Sequence, residues 1–421
     1  MRGAVVSERR HGTEVEDRLL GRIDGAVEGP TLLCVAGIHG NEPAGVHALR
    51  RVLRALEPRR SDMTGRLVAL AGNVSALEAG RRFLDRDLNR AWTTTRLTRL
   101  RHLGHAGQSV EDREQIELVE ALEGVLASAH GPVYALDLHT TSGPGGIFSA
   151  FTDSLPQRAF ASGFPIPMIF GLEELVDGTL LNLLSEHGVV ALTVETGQHH
   201  DETSIDRAEA AVWIAIAASG LLPEAAVPEA VGARKLLYSA AGHLPRALEM
   251  RFRRHVVVGD GFAMVPGYSN FDRVRVGDVV ARDSLGEVVA SESGRLLMPL
   301  YQEQGEDGFF LVREFQPFWM AVSLAMRRTR FAKIAHWLPG VRRVPGTDDE
   351  VVIDRRVARF FARQLFHLLG FRQMDDSGRK LVMRRRRFDE RRYLVEPPAP
   401  ESLAPDRART RSGSGGAPAS R

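Results

Sequence analysis

Thr31-Leu32-Leu33-Cys34-Val35-Ala36-Gly37-Ile38-His39-Gly40-Asn41-Glu42-Pro43-Ala44-Gly45 reads as a buried strand, a glycine-rich turn and the start of a helix. The first six residues have the length and apolar composition of a strand covered on both faces. Beyond the turn, Val46, Leu49, Val52, Leu53 and Leu56 recur at helical spacing. The turn therefore sits at a strand end, where open α/β sheets bind ligands. His39 and Glu42, three residues apart, can bring an imidazole and a carboxylate to one point, as a zinc ion requires of its first two ligands. Taken alone, the same turn reads first as a capped helix N-terminus, with Glu42 favoured by the helix dipole and His39 merely polar.

Outward from this stretch the pattern repeats. A second strand is predicted over 66–71, and it leads to Asn73 and a polar, aperiodic segment, Arg81-Arg82-Phe83-Leu84-Asp85-Arg86-Asp87-Leu88-Asn89-Arg90. That segment reads as a long functional loop, and 92–108 as a further irregular excursion. A helix over 111–129 precedes a strand over 133–138 ending in Asp137-Leu138-His139, and a helix over 180–187 precedes a strand over 189–194 ending in Glu195-Thr196-Gly197. Strands alternating with helices predict a mostly parallel sheet covered on both faces.

The chain has 421 residues, 43% of them hydrophobic, enough for a sizeable core. A net charge of +2 gives no whole-molecule attraction to nucleic acid or anionic membrane. The one cysteine, Cys34, lies in the first strand and reads as core, so an internal disulfide is excluded and a reducing compartment is expected. No apolar leader opens the sequence and no run reaches the ~18 apolar residues of a membrane span. The expected location is cytoplasmic, without membrane partners.

His39, Glu42, His139 and Glu195 each fall at or just after a predicted strand end, where one site can gather them. Two histidines and a glutamate with a fourth position open are a ligand set for catalytic zinc, and a nearby carboxylate such as Glu195 can take a proton from water. Arg82, Asn89 and Arg90 offer donors for an oxyanion and for substrate carboxylates. The adjacent His199 and His200 read as solvated.

Four motifs in this order, Gly37 through Glu42, Asn73 through Arg90, Asp137-Leu138-His139 and Val194-Glu195-Thr196-Gly197, resemble the succinylglutamate desuccinylase/aspartoacylase family, a branch of the zinc carboxypeptidase-like fold. The resemblance implies an α/β fold, a mostly parallel or mixed sheet flanked by helices, and hydrolysis of an amide in an N-acyl amino acid or similar small carboxylate-bearing molecule. It implies one Zn2+ per chain on His39, Glu42 and His139, Glu195 as general base, and Arg82 as the oxyanion partner. Asn89 and Arg90 would bind a substrate carboxylate, with Asp87 holding these side chains in place. The chain departs from the family pattern at Val74, where proline is frequent, and at Phe83, where tyrosine is.

The organisation expected is a zinc hydrolase domain over 1–222, a small half-barrel-like β-domain over 231–315 bordering the cleft, a basic and mainly helical extension over 316–396, and a disordered tail over 397–421. Within the extension, helices are predicted over 318–338 and 351–369, with a hairpin across 375–378. The arginine run 384–387 reads as a solvated basic face, or as a surface for nucleic acid or an acidic partner. Two other readings compete: a metallocarboxypeptidase acting on peptides, and a non-enzymatic scaffold that uses the basic extension.

Overall fold

The computed structural model describes residues 15, 17–102, 108–328, 335–347, 349–354, 356–357, 362–376, 378–390 and 392–403. Strands β1 (Leu19–Asp24), β2 (Val27–Ala36), β3 (Thr64–Ala71), β4 (Val133–Thr141), β5 (Phe148–Ala150), β6 (Met168–Phe170), β7 (Val190–Gln198) and β8 (Ala247–His255) are interleaved, among the described residues, with nine α-helices. These are α1 (Ala44–Leu56), α2 (Val74–Ala79), α3 (Thr94–His102), α4 (Val110–Ala127), α5 (Leu155–Ser162), α6 (Leu172–Leu175), α7 (Leu180–Glu186), α8 (Thr203–Ser219) and α9 (Pro228–Ala241). The strands β9 (Ala263–Met264), β10 (Arg273–Val274), β11 (Val279–Asp283), β12 (Gly286–Val289), β13 (Gly294–Leu297) and β14 (Asp307–Glu314) follow.

The central strands β3, β2, β4 and β7 run parallel, as their apolar sequences predict. Alternate residues serve opposite faces: Leu32, Cys34 and Ala36 pack with α1 and α8, while Leu33 and Val35 pack with α4 and α7. The buried Cys34 is part of this core, as its position in the strand predicts. The sheet continues through β5, β6 and β8 to β14, β13 and β10, eleven strands in all, so the segment expected as a separate β-domain extends the first sheet. Parallel pairing of Met168 with Ala247 makes the junction. A three-stranded sheet of β12, β11 and β9 lies beside it.

Three local readings are corrected. The stretch after Trp92 is helical, α3, because Leu97 and Leu100 are buried three residues apart on one face. The stretch 221–230, whose Pro, Ala and Glu residues read as a linker between the two expected domains, contains the start of α9, which begins at Pro228, a residue preorganised for the first helical position, and Val227, Ala230 and Leu237 are buried beneath it. The segment beginning at Val351 is a strand.

That strand belongs to the C-terminal region, where α10 (Pro317–Arg328) and α11 (Ala362–Leu368) accompany a four-stranded antiparallel sheet of β15 (Val341–Arg343), β16 (Glu350–Asp354), β18 (Lys380–Arg385) and β17 (Phe371–Asp376). The expectation of a mainly helical extension fails at Val351-Val352-Ile353. Three β-branched residues pair with β18 and bury Val351 and Ile353 against Phe366, Phe371 and Met383. The hairpin expected near 375–378 is present as β17 and β18.

Two arginines of this region, Arg327 and Arg386, are spent inside the protein. Arg327 is fully buried and donates to Asp153 Oδ2 at 2.7 Å and to the carbonyls of His367 and Leu368. Arg386, also buried, donates to Glu173 Oε1 at 2.6 Å and to Phe371 O. Arg384 pairs with Glu350, and Arg387 takes both oxygens of Glu401. The expected solvated face is thus largely an internal docking surface. Of the tail expected to be disordered, Glu401 donates its backbone N–H to His187 O and Leu403 is buried against the first domain; residues 404–421 lie outside the described residues. Among the described residues no helix is long and apolar enough to cross a membrane.

Candidate metal centre and active site

The turn after β2 is shaped by glycine. Gly37 has φ +72, and a Cβ on Gly40 would lie 2.0 Å from the backbone of Ala76, so the turn is pressed against α2 in a way only glycine permits. This presents His39 and Glu42 inward, each nearly inaccessible to solvent. Asn73 caps α2 through Ala76 N–H and donates to Glu111 Oε1.

β4 and β7 run beyond their predicted ends, so His139 and Glu195 stand inside strands, as register partners of one another. The loop over 81–90 is fixed by a residue that sequence reasoning missed. Glu111, buried at the start of α4, accepts backbone N–H groups from Leu84 at 2.7 Å and Asp85 at 2.8 Å. Asp87 then caps the turn carrying Asn89 and Arg90 by accepting the N–H of Asn89.

The structure brings His39, Glu42 and His139 together: one donor atom from each lies within 4.8 Å of the others. His39 Nδ1 is 2.8 Å from Glu42 Oε1 and His139 Nδ1 is 3.1 Å from Glu42 Oε2. The opposite ring nitrogens face carboxylates too, His39 Nε2 at 3.1 Å from Asp87 Oδ1 and His139 Nε2 at 3.0 Å from Asp137 Oδ2. With each Nε2 facing a carboxylate, both Nδ1 atoms aim at Glu42, an arrangement that is repulsive unless a proton or a cation lies between. Arg82 donates to Asp87 at 2.9 Å, and its NH1 is 3.6 Å from Glu42 Oε1.

Burial pushes the Glu42 carboxyl up, but His39 and His139 outweigh it and hold it well below the usual carboxylate range. Asp87 is likewise driven down, Arg82 and His39 overcoming burial. His139 is raised well above the usual imidazole range, because Asp137 and Glu42 outweigh the effect of burial. Glu195 differs: burial, with Glu42 and Asp137 adding to it, pushes its carboxyl up to about 8. Its Oε2 is buried and finds no hydrogen-bond partner among the described residues. Three buried carboxylates, Glu42, Asp87 and Asp137, face the two imidazoles and the guanidinium of Arg82, a negatively biased pocket that suits a cation. The donor set therefore fits a metal ion.

A small cavity of about 110 Å³ adjoins this cluster, and Glu195, Asn89 and Arg90 line it. Asn89 Oδ1 is tied to the N–H of Leu180, and Arg90 meets Asp307. The segment between β13 and β14 closes the cavity with Met298, Leu300 and Gln302. Gln302 Oε1 accepts from Asn41 Nδ2 at 2.8 Å and from His199 Nε2 at 3.1 Å. His199, expected as solvated, is instead half-buried in the cavity wall; desolvation lowers it to about 4, and its neutral Nδ1 accepts from Thr140 Oγ1. Residues so far apart in sequence carry no local signal of this contact.

Fold and site together define an α/β domain with a His-Glu-His cluster at the C-terminal ends of parallel strands. The profile of the succinylglutamate desuccinylase/aspartoacylase catalytic domain matches residues 28–216, and over this stretch the chain resembles that family of hydrolases. A succinylglutamate desuccinylase of Pseudomonas paraeruginosa is 42% identical over 62 residues, 15% of this chain and 19% of the relative. One of Burkholderia cenocepacia is 40% identical over 63 residues, 15% of this chain and 18% of the relative. The matched segments thus span less than a fifth of these curated relatives. The crystal structure of a succinylglutamate desuccinylase/aspartoacylase from Rhodobacter sphaeroides shares the fold, with TM-score 0.50 and 18% identity over 71% of this chain and 88% of that one.

Proposed function

We propose that this chain is a zinc-dependent amide hydrolase acting on a small N-acyl amino acid or similar amide. One observation carries the reading: both histidine Nδ1 atoms converge on the two oxygens of Glu42, both Nε2 atoms are backed by Asp87 and Asp137, and Glu195 stands in register with His139. His39, Glu42 and His139 would hold one zinc per chain, which when bound supplies Lewis-acid polarisation of a carbonyl and acidification of water.

The chain's own groups account for the remaining chemistry. Glu195 takes a proton from the attacking water and returns it to the leaving amine nitrogen. Arg82, anchored by Asp87, donates to the oxygen that gains negative charge when water adds to the carbonyl. Asn89 and Arg90 orient the substrate from the cavity wall. The closed-in loop over 298–306 limits access of bulk water.

An amine-release screen of the zinc-loaded protein across N-acyl amino acids tests this. Amine release that disappears in Glu195→Gln is the expected result. Hydrolysis confined to peptides with free C-termini would shift the assignment to a carboxypeptidase.

A further inference from the structure

One wall of the active-site cavity is built from two helices too short to hold themselves. α6 has four residues and α7 seven, far below the length at which a helix is stable in water without tertiary support. They and the turn between them bring Leu172, Val176, Thr179, Leu181 and Asn182 to the cavity, and Asn182 Nδ2 joins the two by donating to Val176 O at 3.2 Å. The N–H of Leu180 donates to Asn89 Oδ1 at 3.0 Å, which ties the wall to the loop proposed to orient the substrate.

The outer side of this wall is held by the C-terminal region. Among the described residues no side chain caps the N-terminus of α6, and its first-turn carboxylates, Glu173 and Glu174, accept from Arg386 instead. Arg386 NH2 reaches Glu173 Oε1 at 2.6 Å and Glu174 Oε1 at 3.1 Å, while NH1 donates to Phe371 O at 2.6 Å and fixes the guanidinium to β17. At the end of α7, the last carbonyls have no partner within the helix. Arg387 NH1 donates to Glu186 O at 2.6 Å, the N–H of Glu401 donates to His187 O at 2.7 Å, and Arg372 pairs with the Glu186 carboxylate. Among the described residues, none beyond 316 lines the cavity, so the C-terminal region acts on it only through these two helices.

We infer that the C-terminal region is a positioning element for substrate binding, with Arg386 and Arg387 as the positioning residues that hold the α6–α7 wall against a small substrate. His39, Glu42, His139 and Glu195 stand on β4, β7 and the turn after β2, outside the clamped segment. Loosening the wall therefore weakens binding and leaves the metal cluster in place. This rests on the amide-hydrolase reading for what enters the cavity.

Hydrogen–deuterium exchange and calorimetric titration with butyrate, both on the zinc-loaded full chain, test it without turnover. In Arg386→Ala, amides over 172–187 should exchange about tenfold faster or more while those over 31–45 keep their rates. Butyrate affinity should fall about tenfold at unchanged zinc content. Arg386→Ala leaves Glu173 buried and unpaired, so Arg387→Ala, whose partner Glu401 is exposed, takes its place should the first variant fold poorly. Arg386→Lys and Arg387→Lys should each restore most of the affinity. A wild type that binds no butyrate, or folded alanine variants that bind it as tightly as wild type, overturns the inference. Loss of zinc in step with the loss of affinity overturns it too, because the role would then be general support of the fold. Kinetics with an N-acyl amino acid that the wild type cleaves should show KM raised about tenfold with kcat little changed, and a fall in kcat alone counts against the inference while leaving the hydrolase reading standing. The predicted exchange and titrations with no amide cleaved by any of the proteins support the positioning role and defeat the hydrolase reading.

Discussion

His139 and Glu195 are register partners on neighbouring parallel strands, so the sheet itself sets the separation between the imidazole proposed as a metal ligand and the carboxylate proposed as base. Glu195 is lifted to about 8, and its buried Oε2 is free of hydrogen-bond partners among the described residues, whereas Glu42 is held down by two imidazoles. Two glutamates in one site are thus given different roles by their surroundings. Glu195→Gln should retain metal and lower kcat by roughly a hundred- to ten-thousand-fold. Steady-state kinetics with metal analysis on the same samples check this, and near-normal kcat would remove Glu195 from the mechanism.

Asp87 and Asp137 back the far nitrogens of the two histidines. Asp137→Asn and Asp87→Asn should each weaken zinc binding about ten- to a hundred-fold while leaving the fold intact. Competition with a chelator of known affinity measures the effect. Unchanged affinity in both variants would mean that these contacts do not orient the ligands.

Glu111 ties down the loop that carries Arg82, Asp87, Asn89 and Arg90. Removing it in Glu111→Ala strands at least two backbone donors, at a cost of about 3 kcal/mol or more. Denaturant unfolding should show the lost stability, and limited proteolysis should show new cleavage within 81–90. A variant as stable and as resistant as wild type would refute the anchoring role.

The C-terminal sheet is docked partly through Asp153. Burial pushes this carboxyl up, but Arg158 and Arg327 outweigh it and hold it well below the ordinary carboxylate value. A carboxyl with a lowered folded pKa contributes stability that is present above its unfolded value of about 3.9 and is lost as pH falls below it. Asp389, raised by burial, acts with opposite sign: it costs stability once ionised and less as it becomes protonated. Thermal unfolding followed from about pH 6 to pH 3 should show an acid-side loss that shrinks in Asp153→Asn and grows in Asp389→Asn. Identical slopes in all three proteins would show that this buried network does not govern docking.

Sequence and structure agree where information is local. The run 31–36, the turn holding His39 and Glu42, and the strand ends at His139 and Glu195 were legible because strand periodicity and turn chemistry act over a few residues. The C-terminal ends of parallel strands also converge by topology, so four separate signals could be assigned to one place. Glu111, Gln302 and Asp307 were not legible, since each acts on residues from 26 to 261 positions away and nothing local marks the contact. Val351-Val352-Ile353 were misread because a short apolar run fits a helix face as well as a strand, and only pairing with β18 decides between them. The arginines at 327 and 386 looked like surface charge, since their acidic partners, Asp153 and Glu173, lie in a distant part of the chain.

The central claim is a single zinc on His39, Glu42 and His139, and elemental analysis of purified protein beside His39→Ala and His139→Ala tests it most directly. The account predicts close to one zinc per chain in the wild type and little in either variant. Wild-type protein that holds no metal after zinc is offered, or variants that keep a full complement, would contradict it.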